Sequence, residues 1–282
     1  MTPFIHYLLP WEFSPAVALF CLLAGGFYLR GWRRCRHTDQ PVGYWPLLSY
    51  LTGVVLVYLV MQTEFDYLSQ HMLWIHRLQH LVLHHLGPFL MMLGLPGKVL
   101  PHGVPQRFTA VVLVPLWRSA PVRWLYVLLQ NALIAPVLFV GLIYFWLLPD
   151  IHFTAMLSAS RYQLMNWSML LDALLFWWLI LDPRPRHAAG RLGYGARIVI
   201  LTLIVPPQIM IGAHMALAET SLYSVYNVCG RAWPISPLVD QQIAGLVTWI
   251  PACMMSVIGV LLVLRRWLNE NRDTSFPAPV VP

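Results

Sequence analysis

The sequence predicts an all-α, polytopic membrane protein with seven transmembrane helices, and three observations lead there. Hydrophobic residues make up 59% of the 282 and charged residues only 10%, against roughly 25% charged in an average soluble domain. A soluble fold cannot clothe its surface with so few charges, so lipid is the solvent for most of the chain. Seven stretches approach the ~20 largely apolar residues that cross a bilayer, and the basic residues gather after every second stretch. This balance excludes collagen, a disordered chain, a disulfide scaffold and a cytosolic enzyme.

The first span covers about 14–31; Met1 to Pro15 contains no Lys or Arg, so the basic start of a cleavable signal is missing and this helix reads as retained. Spans at about 45–62, 72–94, 123–148, 155–181, 197–218 and 243–267 follow. The run Phe108 to Trp117, between Pro105 and Pro121, is too short to cross and is placed at the interface. Residues 1–268 thus form one seven-helix transmembrane domain, and 269–282, with Pro277, Pro279 and Pro282, read as a disordered cytoplasmic tail. Pro88, Pro136, Pro206, Pro207 and Pro251 fall inside spans, where proline removes a helical hydrogen bond and favours a kink. Cys21, Cys35, Cys229 and Cys253 are scattered and read as small apolar residues.

Arg30, Arg33, Arg34 and Arg36 follow span one; Lys98, Arg107, Arg118 and Arg123 follow span three. Arg184, Arg186, Arg191 and Arg197 follow span five, and Arg265, Arg266 and Arg272 follow span seven. Only Arg77, Arg161 and Arg231 lie elsewhere. With positive residues inside, the N-terminus is outside and the C-terminus cytoplasmic. The net charge of +7 then reports topology and attraction to anionic lipid; no nucleic-acid motif accompanies it. On the outer side fall Glu12, Glu64, Asp66, Asp150, Glu219 and Asp240, a solvated rim or, for Asp66, Glu64 and Asp240, a mouth that attracts cations.

Chemistry concentrates in span three. Met72, His76, His80 and His84 recur every four residues, which places them on one helix face about 6 Å apart. Histidines at i and i+4 can share a metal ion, but no Glu follows the first, so the metalloprotease helix is excluded. Ionisable groups at membrane depth usually face the bundle interior and serve function. Imidazole with thioether suits copper, as Cu(I). The topology brings further candidates to the outer half: His71, His85, His152 at the opening of span five, and His214 with Met215 at the close of span six. The metal candidates are therefore His76, His80, Met72, His71, His84, His152 and His214. Arg77 and Asp172 also lie within spans, at depths too different to pair them.

Asp66-Tyr67, the segment from His76 through Gln79 and His80, and the run from Pro88 to Gly94-Leu95-Pro96 resemble the signature of the CtaG-like, Caa-type cytochrome c oxidase assembly factors. Leu175 to Trp178, Asp240 to Gly245, and Gly212 with Leu222, Tyr223 and Tyr226 extend the resemblance over about 45–267. It implies a seven-helix protein of the bacterial inner membrane that assembles an aa-type haem–copper oxidase, with copper delivery as its task. His76 and His80 carry over. The family usually has Met where this chain has Arg77, a second His pair where Tyr162 and Asn166 align, and a His where Leu147 stands.

The leading expectation is a non-enzymatic assembly factor that binds copper near the periplasmic face and hands it to an oxidase subunit, with oxidase subunits, periplasmic copper chaperones and the bilayer as partners. A copper permease using the stripe from His71 to His85, a haem protein ligated by His80 and His214, and a pure scaffold are the alternatives. Neither GxSxG, a Walker segment nor HExxH is present to suggest an enzyme.

Overall fold

A computed structural model describes residues 9–38, 41–184, 188 and 190–275. Among them the fold is all helical, with no strand. Helix α1 is Pro15–Cys35, α2 Tyr44–Gln62, α3 Glu64–His71 and α4 Leu73–Leu93. Helix α5 is Pro96–Gly103, α6 Gln106–Arg118, α7 Ala120–Leu129, α8 Ile134–Leu147 and α9 Pro149–Met156. Helix α10 is Ala159–Leu181, α11 Tyr194–Ala216, α12 Val225–Val228 and α13 Pro237–Ser275.

Helices α1, α2, α10, α11 and α13 are each long and apolar enough to cross a membrane, which makes this a multi-pass membrane protein. Three bent pairs could add spans: α4 with α5 at 73°, and α6 with α7 and α8 with α9 at 74° each. The candidate spans therefore number five to eight.

Three details differ from the sequence reading. The continuous helix expected over 123–148 is interrupted between α7 and α8, because the Asn131 side chain accepts from the backbone N–H of Leu133 and Ile134 and starts a new helix. The span expected over 155–181 begins only at Ala159, and its upstream part is the separate helix α9. The last helix runs through Ser275, beyond the expected end at 268; residues 276–282 of the expected tail lie outside the described residues. The run Phe108 to Trp117 is helical within α6, and none of its residues is buried.

Helix α4 is the central element, packed against α2, α10 and α13. Its N-terminus is capped from a distance: the Asp240 carboxylate of α13 accepts from the N–H groups of Leu73 at 3.1 Å and Trp74 at 2.9 Å, two donors that a helix start leaves unpaired. Lower down, Pro88 has no N–H to donate, and the preceding turn, Val82–Leu86, widens to a π-turn in which Gly87 N–H reaches back to Val82 O. Gly53 of α2 lies against this turn; a Cβ there would fall 2.7 Å from Gly87 O, so only glycine allows α2 this close. Leu95, at φ 54°, takes a left-handed conformation at the corner into α5.

At the arginine-rich end the helix ends are tied together. Fully buried Arg197 of α11 donates to the carbonyls of Leu192, Ile180 and Asp182 at 3.0–3.1 Å, and Arg266 of α13 donates to Leu181 O at 2.7 Å. The carbonyls of Ile180, Leu181 and Asp182 are ones that the end of α10 cannot pair internally.

Candidate metal centre

Near the start of α4, His76 and His80 lie one turn apart with ring centroids 4.3 Å from each other, and the ring of His152, from α9, stands 5.1 Å from His76. All three are buried, His76 and His152 completely. Their availability differs. His152 Nδ1 bonds Trp146 O and its Nε2 bonds the Tyr226 hydroxyl, each at 3.0 Å. His80 Nε2 meets Asn166 Oδ1 at 3.1 Å and its Nδ1 meets the Arg77 guanidinium at 3.2 Å. Both ring nitrogens of His76 are buried without a partner. A buried unpaired nitrogen costs roughly 1–3 kcal/mol, so His76 is held in a state that bonding to an electrophile would relieve.

Above the pair sits a hydrogen-bonded lock. Tyr162 of α10 donates to Asp66 Oδ1 at 2.7 Å, and Gln79 Nε2 donates to Asp66 Oδ1 at 2.8 Å and to Val60 O at 2.7 Å. Gln70 and Trp11 donate to Asp66 Oδ2 at 3.0 and 3.4 Å. Burial pushes the Asp66 carboxyl above the usual carboxylate range, against these hydrogen bonds, which favour its ionised form. The Tyr162 ring is 6.1 Å from that of His76.

Of the remaining candidates, His84 lines one small cavity with His80, and Met72 O accepts from the His76 N–H at 3.1 Å. Met72 is fully buried but extended, as the N-cap of α4. His71, on α3, is half-buried, with Nδ1 on Tyr67 O. His214 is exposed on α11 and lines a separate cavity of about 690 Å³ beside Met210 and Tyr223; it makes no ring contact with His80, the proposed haem partner. His84 and His85 are buried deeper, on the π-turn, against Phe139 at 4.0 and 5.1 Å.

The cation-attracting mouth also takes a different form. Asp240 is buried and engaged as the cap of α4 and by Arg231, and Asp66 belongs to the lock, so neither stands as an open acidic rim. Glu64 is half-buried in the first turn of α3. Asp172 pairs with His84 at 3.3 Å, while Arg77 bonds Thr248 Oγ1 at 3.0 Å instead of any carboxylate.

Three positions where family histidines were missing surround the pair or its supports. Asn166 bonds His80, Tyr162 stands beside His76, and Leu147 O accepts from the Tyr223 hydroxyl at 2.8 Å. Tyr226, Thr248 and the bond from Asn166 carry no sequence signal of their own role; the only hint was Tyr226 within the resemblance. Among the described residues no three His, Cys, Asp or Glu side chains are arranged to hold a metal ion. His76 is open, whereas His80 and His152 must each release a hydrogen bond before joining it.

Residues 26–270 match the family described as the cytochrome c oxidase caa3 assembly factor, and the chain belongs to it. The chain is 24% identical to an uncharacterized protein of Mycobacterium leprae over 95% of its own length and 41% of that protein's. It is likewise 24% identical to an uncharacterized protein of Mycobacterium bovis over 93% of the chain and 40% of the relative. The chain thus spans about two fifths of the length of these relatives. No solved structure matches it.

Proposed function

From membership of an oxidase assembly family we propose that this chain is a non-enzymatic copper-handling factor that receives Cu(I) at His76, His80 and His152 and passes it to a subunit of a haem–copper oxidase. The observation that carries the reading is His76: a fully buried imidazole, both nitrogens unpaired, 4.3 and 5.1 Å in ring distance from two others. Neutral imidazoles without a carboxylate suit a soft monovalent ion, which tolerates two- or three-coordinate nitrogen sites. The hydrogen bonds that His80 and His152 must surrender keep the ion from being held irreversibly, as cargo requires.

In this reading seven spans cross the bacterial inner membrane, the N-terminus and the histidine cluster face the periplasm, and the arginine-rich end faces the cytoplasm. Periplasmic copper chaperones supply the ion, and Asp66 with Tyr162 controls its way in. Purified chain titrated with Cu(I) against a competing chelator should bind one ion, and His76→Ala with His80→Ala should bind none. Undiminished copper in the double variant would remove the assignment. In the host, deletion of the chain should lower the copper content of the oxidase.

A further inference from the structure

Beside the histidine cluster lies a cavity of about 570 Å³, between the start of α1, helix α3 and the join of α9 to α10. Its walls include Glu12, Asp66, Gln70 and Gln163 together with Met61 and Met156, and no Lys, Arg or His lines it. A cleft walled by acids without bases concentrates cations, and thioether sulfur favours Cu(I) over harder ions. The larger cavity beside His214 also holds Met210 and Met215, but no acidic residue lines it.

Two of its residues also touch the surroundings of the metal centre. Tyr162 is buried, lines the cavity, and has its ring 6.1 Å from that of His76. Its hydroxyl donates to Asp66 Oδ1 at 2.7 Å, with Ser69 Oγ at 2.7 Å and Gln79 Oε1 at 3.1 Å also within reach. Met156 lies one turn beyond His152 on α9, so cavity and cluster share one face of that helix. Asp66 accepts from neutral donors, and among the described residues no cationic side chain pairs with it.

We propose that this cavity is the entrance through which Cu(I) reaches His76, with Met61 and Met156 as soft donors on the way and Tyr162 as the gate. The inference rests on the copper reading and adds where the ion comes in and what holds the way shut. Only coordinate bonds are exchanged: the ion leaves thioether sulfur for imidazole nitrogen, and copper stays Cu(I). When the Tyr162 hydroxyl leaves Asp66, it frees an acceptor on a carboxylate that lines the cavity. Opening and attraction of the cation are then one event.

The experiment follows two rates in the full-length protein. One is Cu(I) loading from a chelator complex; the other, without copper, is carbethoxylation of His76 by diethyl pyrocarbonate, read by mass spectrometry. Ala159 is exposed and lines this cavity, so Ala159→Trp fills it and should slow both rates about tenfold or more, with the final copper count unchanged. Ala213→Trp, which fills the cavity beside His214, should leave both as they were. Tyr162→Phe keeps the ring and loses the hydroxyl, and should speed both about tenfold, the worth of one hydrogen bond to a charged acceptor. Met61→Leu with Met156→Leu keeps the volume and should slow loading but not modification. Unslowed loading in Ala159→Trp, or slower loading in Ala213→Trp than in Ala159→Trp, overturns the entrance. Unchanged modification of His76 in Tyr162→Phe overturns the gate. If the unaltered chain binds no copper, the copper reading fails by itself; slowed modification in Ala159→Trp then still upholds the way in, and unslowed modification overturns it.

Discussion

The two ends of the bundle put their buried polar groups to different uses. At the arginine-rich end, Arg197 and Arg266 close onto carbonyls of the α10 terminus and its neighbours, so buried charge there serves to hold helix ends in register. Near the start of α4, acids and amides are likewise engaged, Asp240 as a cap and Asp66 as a lock, but His76 is engaged by nothing. The contrast separates architecture from chemistry. A satisfied buried polar group fixes geometry, whereas an unsatisfied one, kept against its cost by groups that are satisfied, is available for a ligand.

Variants sharpen this contrast in order of expected size. Arg197→Ala strips three carbonyls, two of them buried, of their donor and should cost about 3 kcal/mol or more of stability, read as the largest fall in unfolding midpoint in detergent, with copper stoichiometry intact in the folded fraction. Asp240→Ala removes the acceptor for Leu73, Trp74 and Arg231 together and should cost about 2 kcal/mol. It should also weaken Cu(I) binding, because it frees the start of the histidine helix; equal copper affinity would show that the cap does not position the site. Tyr226→Phe should cost about 1 kcal/mol and tighten copper binding, since it releases His152 Nε2. A loss of affinity instead would take His152 out of the ligand set.

His76→Leu should leave stability unchanged or raise it by about 1–3 kcal/mol, because it gives up no hydrogen bond, removes two buried unpaired nitrogens and keeps the space filled, while abolishing copper binding. A large destabilisation would reassign His76 to architecture. The smallest effect belongs to Asp182. Burial pushes its carboxyl up, but the hydrogen bonds and charge of Arg184 outweigh this and hold it below the usual range. Its stabilising contribution is therefore complete above the ordinary carboxylate pKa of about 4 and fades as pH falls through the folded value. With Arg184 largely exposed, the loss should be a few tenths of a kcal/mol, seen as a shallower acid-side slope in Asp182→Asn.

Much of this was legible along the chain. Apolar runs mark the helices because a lipid-solvated backbone must pair its own hydrogen bonds, and the spacing of His76 and His80 puts both on one face whatever surrounds them. The family resemblance already rested on His76, Gln79 and His80. Where the reading missed, a local competitor or a distant partner had intervened. Asn131 broke a run that hydropathy joins, and Pro88 widened the turn that carries His84 and His85. Met72, counted with the stripe, is the N-cap of a helix that begins one residue later, where Asp240 caps it from 167 residues away.

By itself, then, the sequence determined the solvent, the helical class, and which imidazoles ride together on α4, since each depends on composition or on spacing within one helix. Only the tertiary structure decided which of those imidazoles are free, that the ring of His152 comes up to His76 while His214 lines a separate cavity, and that Arg77 bonds His80 and Thr248. These depend on partners from α9, α10 and α13, and no local rule of the backbone states how helices far apart in the chain pack against one another.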